Sequence, residues 1–512
     1  MRIGLRLLPL AALLLFLIFN TVEQSEVDAV GKGSKRRRIA LNDLGTGLAK
    51  TITPGFQTSA ELEKYLDTLD ESTTRRVIEG EFEHLIYYIL QSRYFTSFKP
   101  IEPALSSKEL FDSLDPVDRD RLLSDGAPLD PARIPIPVSV RQRVASFKAA
   151  VDRSSPLPKG QFVRTDGDNE RWRYFSTLVR TTRDTSAPRI EIEYLRTMRF
   201  LYRKEFLSRQ FDPAGQADYI SGLYRTRAHS TDTQIEAGFG VDTALALIGQ
   251  IEEQSGRKRR FSRVLIVGPG QDLAPRTGLL DQLAPQSFQP FTLLDSLRRL
   301  GLADPRGLNV HCVDVNQRVI DHIDALRGQT GQTGTGRGIR LDLVSGLTER
   351  YGWSFSTDFK EYFLKLGVSL GTVKDPPGTN GAVSSPPQLD RNLFQDGHLV
   401  RQVEVPADVM THLSAERLNI ITERYDPSPQ FDLVVVTNVF PYFEIGRELP
   451  LSIANLAAMT VAGGWLVHNE LSIIGNQVFN EVGLPVRQVR TLMIASGESR
   501  PLYDGVVIHQ RQ

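Results

Sequence analysis

Hydrophobic and polar positions change their period several times along the chain. Residues 7–19 run without a charge, behind Arg2 and Arg6. That length suits a signal-peptide core better than a full bilayer span. Between residues 76 and 94, apolar side chains fall at 77, 78, 82, 85, 86, 89 and 90, which is one stripe of a helix. Residues 115–138 are rich in Pro and Asp and predict a loop. Residues 191–210 predict another helix, with Leu195, Met198, Leu201 and Tyr202 on one side and Arg196, Arg199, Arg203 and Lys204 decorating it. Those charges read as a solvated face, with a substrate or lipid patch as the alternative. No chemical motif stands out before residue 220.

Beyond residue 220 the pattern changes. Thr233-x-x-Glu236 has the spacing of a capping box for a helix running toward Ile248. Val264-Leu265-Ile266-Val267 is a short β-branched run that breaks at Gly268-Pro269-Gly270, which predicts a buried parallel strand ending in a glycine turn. Residues 308–313 form a second such run, closed by Asp314, and residues 317–326 continue as a helix. An extra apolar segment, 291–302, lies between the two runs. Residues 418–421 predict a short strand ending near Glu423, and Phe431–Val436 predicts a strong buried one. Residues 453–459 then read as helix, Gly463-Gly464 turns into Trp465-Leu466-Val467-His468, and 486–495 with 506–509 suit a closing antiparallel hairpin. The alternation predicts an α/β fold. Two low-complexity stretches, 328–338 and 374–388, predict a long insertion over about 328–415, where substrate sites are commonly built. The aromatic residues at 351–363 read as satellite core.

A length of 512 residues allows two or more domains, and 61 basic against 61 acidic residues predict no nucleic-acid partner. The single cysteine, Cys312, lies inside a predicted core strand, so no disulfide forms within the chain and no multi-cysteine metal site exists. His468 with Glu470 gives a metal little support, and no metal is expected. The divisions are 1–29 as signal peptide or membrane anchor, 30–55 as linker, 56–215 as a mainly helical N-terminal region and 216–512 as the sheet domain.

A strand, a glycine turn and a later strand ending in a carboxylate form half of a nucleotide-binding βαβ unit. Residues 261–314 resemble motif I and the following acidic strand of class I S-adenosylmethionine-dependent methyltransferases. Gly268 and Gly270 match the glycine loop and Asp314 matches the ribose acid; Ile266 stands where many members carry an acid, and Asp272 where a third glycine is expected. A nicotinamide fingerprint needs glycine at 273, which is Leu. The block FDLVVVTNVFPYF (431–443) is a second match and particularly resembles chemotaxis-receptor methyltransferases. The resemblance covers about residues 220–512. It implies a Rossmann-like methyltransferase sheet and S-adenosylmethionine as cofactor, held by Gly268, Pro269, Gly270, Asp272, Asp314, Val315, Glu423 and Asn438. Asn438 and Tyr442 are the candidates on the catalytic side. Asn438 reads equally as a turn cap, and Tyr442 as packing. Tyr224, Arg225 and Arg227 are candidates for substrate contact, against ordinary capping and surface charge.

Two functions follow. One is S-adenosylmethionine-dependent methyl transfer to an acceptor the sequence does not name. The other is a non-catalytic Rossmann-like binding or scaffold protein, at the membrane or exported. Residues 7–19 imply a membrane partner, either as a retained anchor with the body in the cytoplasm or as a signal peptide removed on export. The cluster Lys35-Arg36-Arg37-Arg38 fits retention or a linker charge run, and the cytosolic origin of the implied cofactor favours retention.

Overall fold

The computed structural model describes residues 35–512 except 53, 125, 155–168, 277, 305–306, 330–337, 350–351, 375–393, 427–430, 471–472 and 498–500. The apolar run 7–19 lies outside the described residues. Among the described residues no helix is long and apolar enough to cross a membrane.

Six of the predicted strands form as the pattern predicts, and with an unpredicted one they build the seven-stranded main sheet: β1 Arg263–Val267, β2 Asn309–Asp314, β3 Leu413–Arg417, β4 Phe431–Val436, β5 Thr460–His468, β6 Val486–Ser496 and β7 Pro501–Gln510. Across the sheet they lie in the order β3-β2-β1-β4-β5-β7-β6, and the two-residue strand Ser354–Phe355 extends the β6 edge. Strands β1 to β5 run parallel to one another, and β7 runs antiparallel between β5 and β6. The chain reverses its direction of travel across the sheet between β1 and β4, the switch point where open α/β sheets bind ligands.

Both faces of the sheet are covered, which is why its central strands are continuously apolar. Val264, Ile266, Leu433, Val435, Trp465 and Val467 enter one core. Their alternating neighbours Leu265, Val267, Val434, Val436 and Leu466 enter a second. A third core, around Phe82, Tyr88, Phe147, Phe175 and Tyr194, holds the N-terminal helices together and takes in Leu273 and Leu280 from beyond the glycine turn. The helical region is therefore packed on the sheet domain.

Several expectations are corrected. The third sheet strand is Leu413–Arg417, not 418–421, because LSAER pairs with β2 in the register Val310↔Leu413 to Asp314↔Arg417. Residues 418–421 form the loop after it. The stretch 115–138 contains a helix, Pro116–Leu123, capped by the Asp115 carboxylate accepting from the Asp118 N–H at 2.9 Å. From Lys35 onward the stretch read as linker is ordered. Lys35–Arg38 is a strand antiparallel to Glu423–Asp426, and its arginines pair with Glu416 (2.8 Å), Asp43 (2.6 Å), Asp426 (2.6 Å) and Asp67 (2.6 Å).

The capping box at 233–236 does not form: the helix Glu236–Gln254 starts without a side-chain cap. The Glu236 carboxylate instead accepts from the Gly346 N–H at 2.7 Å and the Leu347 N–H at 3.1 Å. The insertion folds as a small antiparallel sheet, Ile339–Val344, His398–Val405 and Thr372–Lys374, whose Leu341, Leu343 and Val403 enter the first core.

Candidate functional site

At the carboxyl ends of β1, β2 and β4 the sheet opens into a cavity. Gly268 and Gly270 both adopt left-handed backbone, at φ +68° and +58°, which glycine reaches without the Cβ clash that other residues meet. Space excludes side chains there as well. A Cβ on Gly268 would stand 2.7 Å from the Val439 Cγ2, and one on Gly270 would stand 2.6 Å from the Thr231 carbonyl oxygen. The turn is pinned by the Gly268 N–H donating to the Val313 carbonyl at 2.8 Å and the Gln271 N–H donating to the Thr231 carbonyl at 2.8 Å. The next α-helix begins only at Gln289, so the turn does not present a helix N-terminus to a phosphate as dinucleotide sites do.

Asp314 ends β2 in the cavity wall. Its Oδ1 accepts from the Asn316 N–H at 2.8 Å. Burial pushes its carboxyl up to about 6, against the pull of the Asn316 and Gly270 N–H groups. Asp232 is in the wall as well, and its Oδ1 accepts from the Leu273 N–H at 3.2 Å and the Ala274 N–H at 2.9 Å. Burial and the like charge of Asp272 push Asp232 up to about 6 as well. Beyond β4, Asn438 takes left-handed backbone at φ +58°, uncommon for a residue with a Cβ. Asn469 holds it there. Its Oδ1 accepts from the Asn438 N–H at 2.9 Å, and its side-chain amide donates to the Asn438 Oδ1 at 2.7 Å. His229 packs its ring 5.4 Å from that of Tyr442; burial, aided by the Arg76 charge, pushes it down to about 3.

Of the residues singled out in the sequence, Gly268, Gly270, Asp314, Val315, Asn438 and Tyr442 come together in this wall. Pro269 is buried outside it, and Asp272 is spent in a buried pair with Arg276, at 3.0 Å. Glu423 lies in the strand that pairs with Lys35–Arg38, with its carboxylate 3.4 Å from the Asn419 N–H. Tyr224, Arg225 and Arg227 form no part of the wall. Arg227 donates to the Glu83 carboxylate at 3.0 Å and stacks 4.1 Å over Phe200. Tyr224 meets Tyr442 edge-on at 5.6 Å, and Arg225 donates to the Ser221 hydroxyl at 3.2 Å. His468 pairs with His509 at 2.8 Å, and among the described residues no three His, Cys, Asp or Glu gather as a metal site.

Sequence reading missed Asp232, His229, the loop residues Leu418, Asn419, Ile420 and Ile421, and Thr73 of the long helix Ser59–Gln91, all in the wall. Among the described residues the insertion contributes nothing to it, and the helical region contributes Thr73.

No family model matches the chain, and no curated protein does. Solved structures similar to it include magnesium protoporphyrin IX methyltransferase from Synechocystis with bound S-adenosylmethionine, at 10% identity over 53% of this chain and 80% of that one, with a TM-score of 0.25. Another is the N-methyltransferase NodS from Bradyrhizobium japonicum with S-adenosylhomocysteine, at 12% identity over 52% and 85%, TM-score 0.24. A possible exported protein from Bordetella parapertussis is similar at 10% identity over 80% and 97%, TM-score 0.26. These likenesses are too distant to bring a function with them, and the fold rests on the strand order. That order, with its antiparallel seventh strand, defines a Rossmann-like sheet of the class I methyltransferase type.

Proposed function

We propose that this chain is an S-adenosylmethionine-dependent methyltransferase. The observation that carries the reading is the charge of the cavity: among the described residues its wall holds two carboxylates, Asp232 and Asp314, and no lysine or arginine. Such a wall repels phosphates and suits a ligand that is cationic at one end and carries a ribose in the middle. When bound, the cofactor supplies a methyl group activated on a sulfonium. Gly268 and Gly270 let the backbone approach it. Asp314 accepts hydrogen bonds from ribose hydroxyls. Asp232 provides the anion for the ammonium end, a charge that Ile266 does not offer. Leu418, Ile420 and Ile421 give an apolar face for the adenine. Asn438 and Tyr442 stand on the acceptor side, where their work is alignment and exclusion of water.

Calorimetry on the full-length chain with S-adenosylhomocysteine tests this. Wild type is expected to bind. Gly270→Val is expected to bind at least about 30-fold more weakly while still melting cooperatively, because its side chain meets the Thr231 carbonyl. A wild type that gives no binding heat returns the chain to the non-catalytic reading, and a folded Gly270→Val with unchanged affinity removes the glycine turn from the site.

The same reading includes attachment to a membrane through residues 7–19 with the body in the cytoplasm, where the cofactor is made.

A further inference from the structure

Among the buried carboxylates through which the helical region touches the sheet domain is Glu81, which lies outside the cavity wall itself. Glu81, on the helix Ser59–Gln91, is 2% exposed. Three donors converge on it: the Tyr174 hydroxyl at 2.5 Å, the Thr231 hydroxyl at 2.8 Å and the Asn316 side-chain amide at 2.5 Å. Two of those donors belong to the loops that flank the cavity. Thr231 lies over the glycine turn, where its carbonyl accepts from the Gln271 N–H at 2.8 Å. Asn316 follows the ribose-side acid, and its backbone N–H donates to the Asp314 Oδ1 at 2.8 Å. The Asn316 amide also donates to the Thr231 hydroxyl at 2.9 Å, which ties the two loops to each other. The Asn316 Oδ1 accepts from the Arg318 N–H at 3.0 Å, so both ends of that amide are fixed.

We infer that Glu81 is a positioning residue for the cofactor: from the helical region it sets the spacing of the Thr231 and Asp314 loops, so that the N-terminal helices are a working part of the cofactor site. The inference rests on the methyltransferase reading. It assigns a role to a region whose sequence carries no motif, and it places the controlling residue 233 positions before the acid it orients, through Asn316.

The arrangement has an electrostatic signature. Burial, with the like charge of Glu81 adding to it, raises the Asp314 carboxyl to about 6. The other titratable or charged groups near this pair are Tyr174, whose hydroxyl burial and Glu81 hold well above its ordinary value, Arg318 over the Tyr174 ring at 5.9 Å, and buried Cys312 on the same strand as Asp314. Ribose hydroxyls bond best to an ionised Asp314. Binding is therefore complete above the raised value and is lost as pH falls through it. Taking away the Glu81 charge lowers that value, so the loss moves to lower pH.

The test measures binding by the full-length chain at several pH values. The probe is 5′-methylthioadenosine, which keeps the ribose and lacks the ammonium, so that titration of Asp232 does not enter. Glu81→Ala removes the anchor, and a roughly tenfold loss of affinity at pH 8 is expected. Glu81→Gln keeps an acceptor for Thr231 and Asn316 and a donor for the Tyr174 oxygen. It is expected to stay within about threefold of wild type at pH 8, with the midpoint of its acid loss below that of wild type. Glu81→Gln also serves as the folded variant if Glu81→Ala does not assemble. An unchanged midpoint in Glu81→Gln, or wild-type affinity in a folded Glu81→Ala, overturns the inference and leaves the cofactor reading standing. A wild type that binds neither this probe nor S-adenosylhomocysteine takes down both.

Discussion

Asp232 and Asp314 both line the cavity, and their tasks are separable by ligand. An ammonium group meets Asp232 only if the amino-acid end of the cofactor lies under the segment that crosses the turn. Asp232→Asn is therefore expected to weaken S-adenosylhomocysteine binding about tenfold or more, as loss of a charge-assisted contact does. It is expected to leave 5′-methylthioadenosine, which lacks that group, within about twofold of its wild-type affinity. An equal loss for both ligands would mean that Asp232 shapes the turn and does not bind the ammonium. At this scale the sequence showed what local chemistry announces. Gly268, Gly270 and Asp314 stand at strand ends, and Asn438 follows a buried run. Asp232 gave no such signal. It looks like one more polar residue in a polar stretch, and only the parallel bridge Asp232↔Gln271 brings it to the turn. Thr73 is a small residue on an otherwise polar turn of a helix, and becomes wall through packing alone.

Among the elements, the long helix Ser59–Gln91 does the most bridging. Its Arg76 donates to three carbonyls at the end of the helix Pro213–Thr226, at Arg227 (3.0 Å), Arg225 (2.9 Å) and Tyr224 (3.4 Å). It also donates to the Tyr442 carbonyl at 3.3 Å, beyond β4. Arg76→Met keeps much of the stem and removes these donors, leaving half-buried helix-end carbonyls unmet. A destabilisation of about 2–3 kcal/mol is expected. It should appear in thermal melts as a lower transition with the far-ultraviolet dichroism of the folded state unchanged. An unaltered melt would show that water replaces the guanidinium at no cost. Elements were legible where period and propensity agree, as in β1, β2 and β4. They were misread where tertiary pairing overrides propensity. LSAER has no β-branched residue, yet it is β3. Its Leu413 is buried, and its Ser414 hydroxyl meets the His311 ring at 2.9 Å. The stretch Leu418 to Ile421, with three aliphatic residues around Asn419, looks like a strand and is instead the loop that faces the cavity. Likewise Thr233 and Glu236 have the spacing of a cap, but Glu236 is drawn off by the backbone of residues 346 and 347.

Over the whole molecule, the cavity draws on residues from Thr73 to Phe443, so the sheet domain cut off near residue 215 lacks Thr73 and the Glu81 anchor. The arginines at 36–38 are folded onto the body by their ion pairs. Only residues 20–34 then separate the apolar run from the body, a tether of at most about 50 Å. With retention in the membrane, protease added to spheroplasts of a bacterium expressing the full chain is expected to leave the body intact. Mass spectrometry is expected to find residues 1–29 still attached. Digestion of the body, with a mature N-terminus near residue 30, would put the domain on the far side of the membrane from its cofactor. The overall α/β plan was legible because strands and helices alternate after residue 220. The link from the helical region to the site was not, since contacts between residues 150 to 235 positions apart, as from Glu81 to Thr231 and Asn316, leave no periodic trace. One further consequence follows from the place of β7. It lies between β5 and β6, both of which precede it in the chain. While residues 501–510 are still free, β5 shows a bare ladder along Trp465 to His468, and β6 has no partner in the sheet's centre. A refolding chain thus carries an adhesive slot that a copy of the same strand from another molecule fits equally well. Dilution should favour recovery of active material, and crowded refolding should yield strand-exchanged clumps.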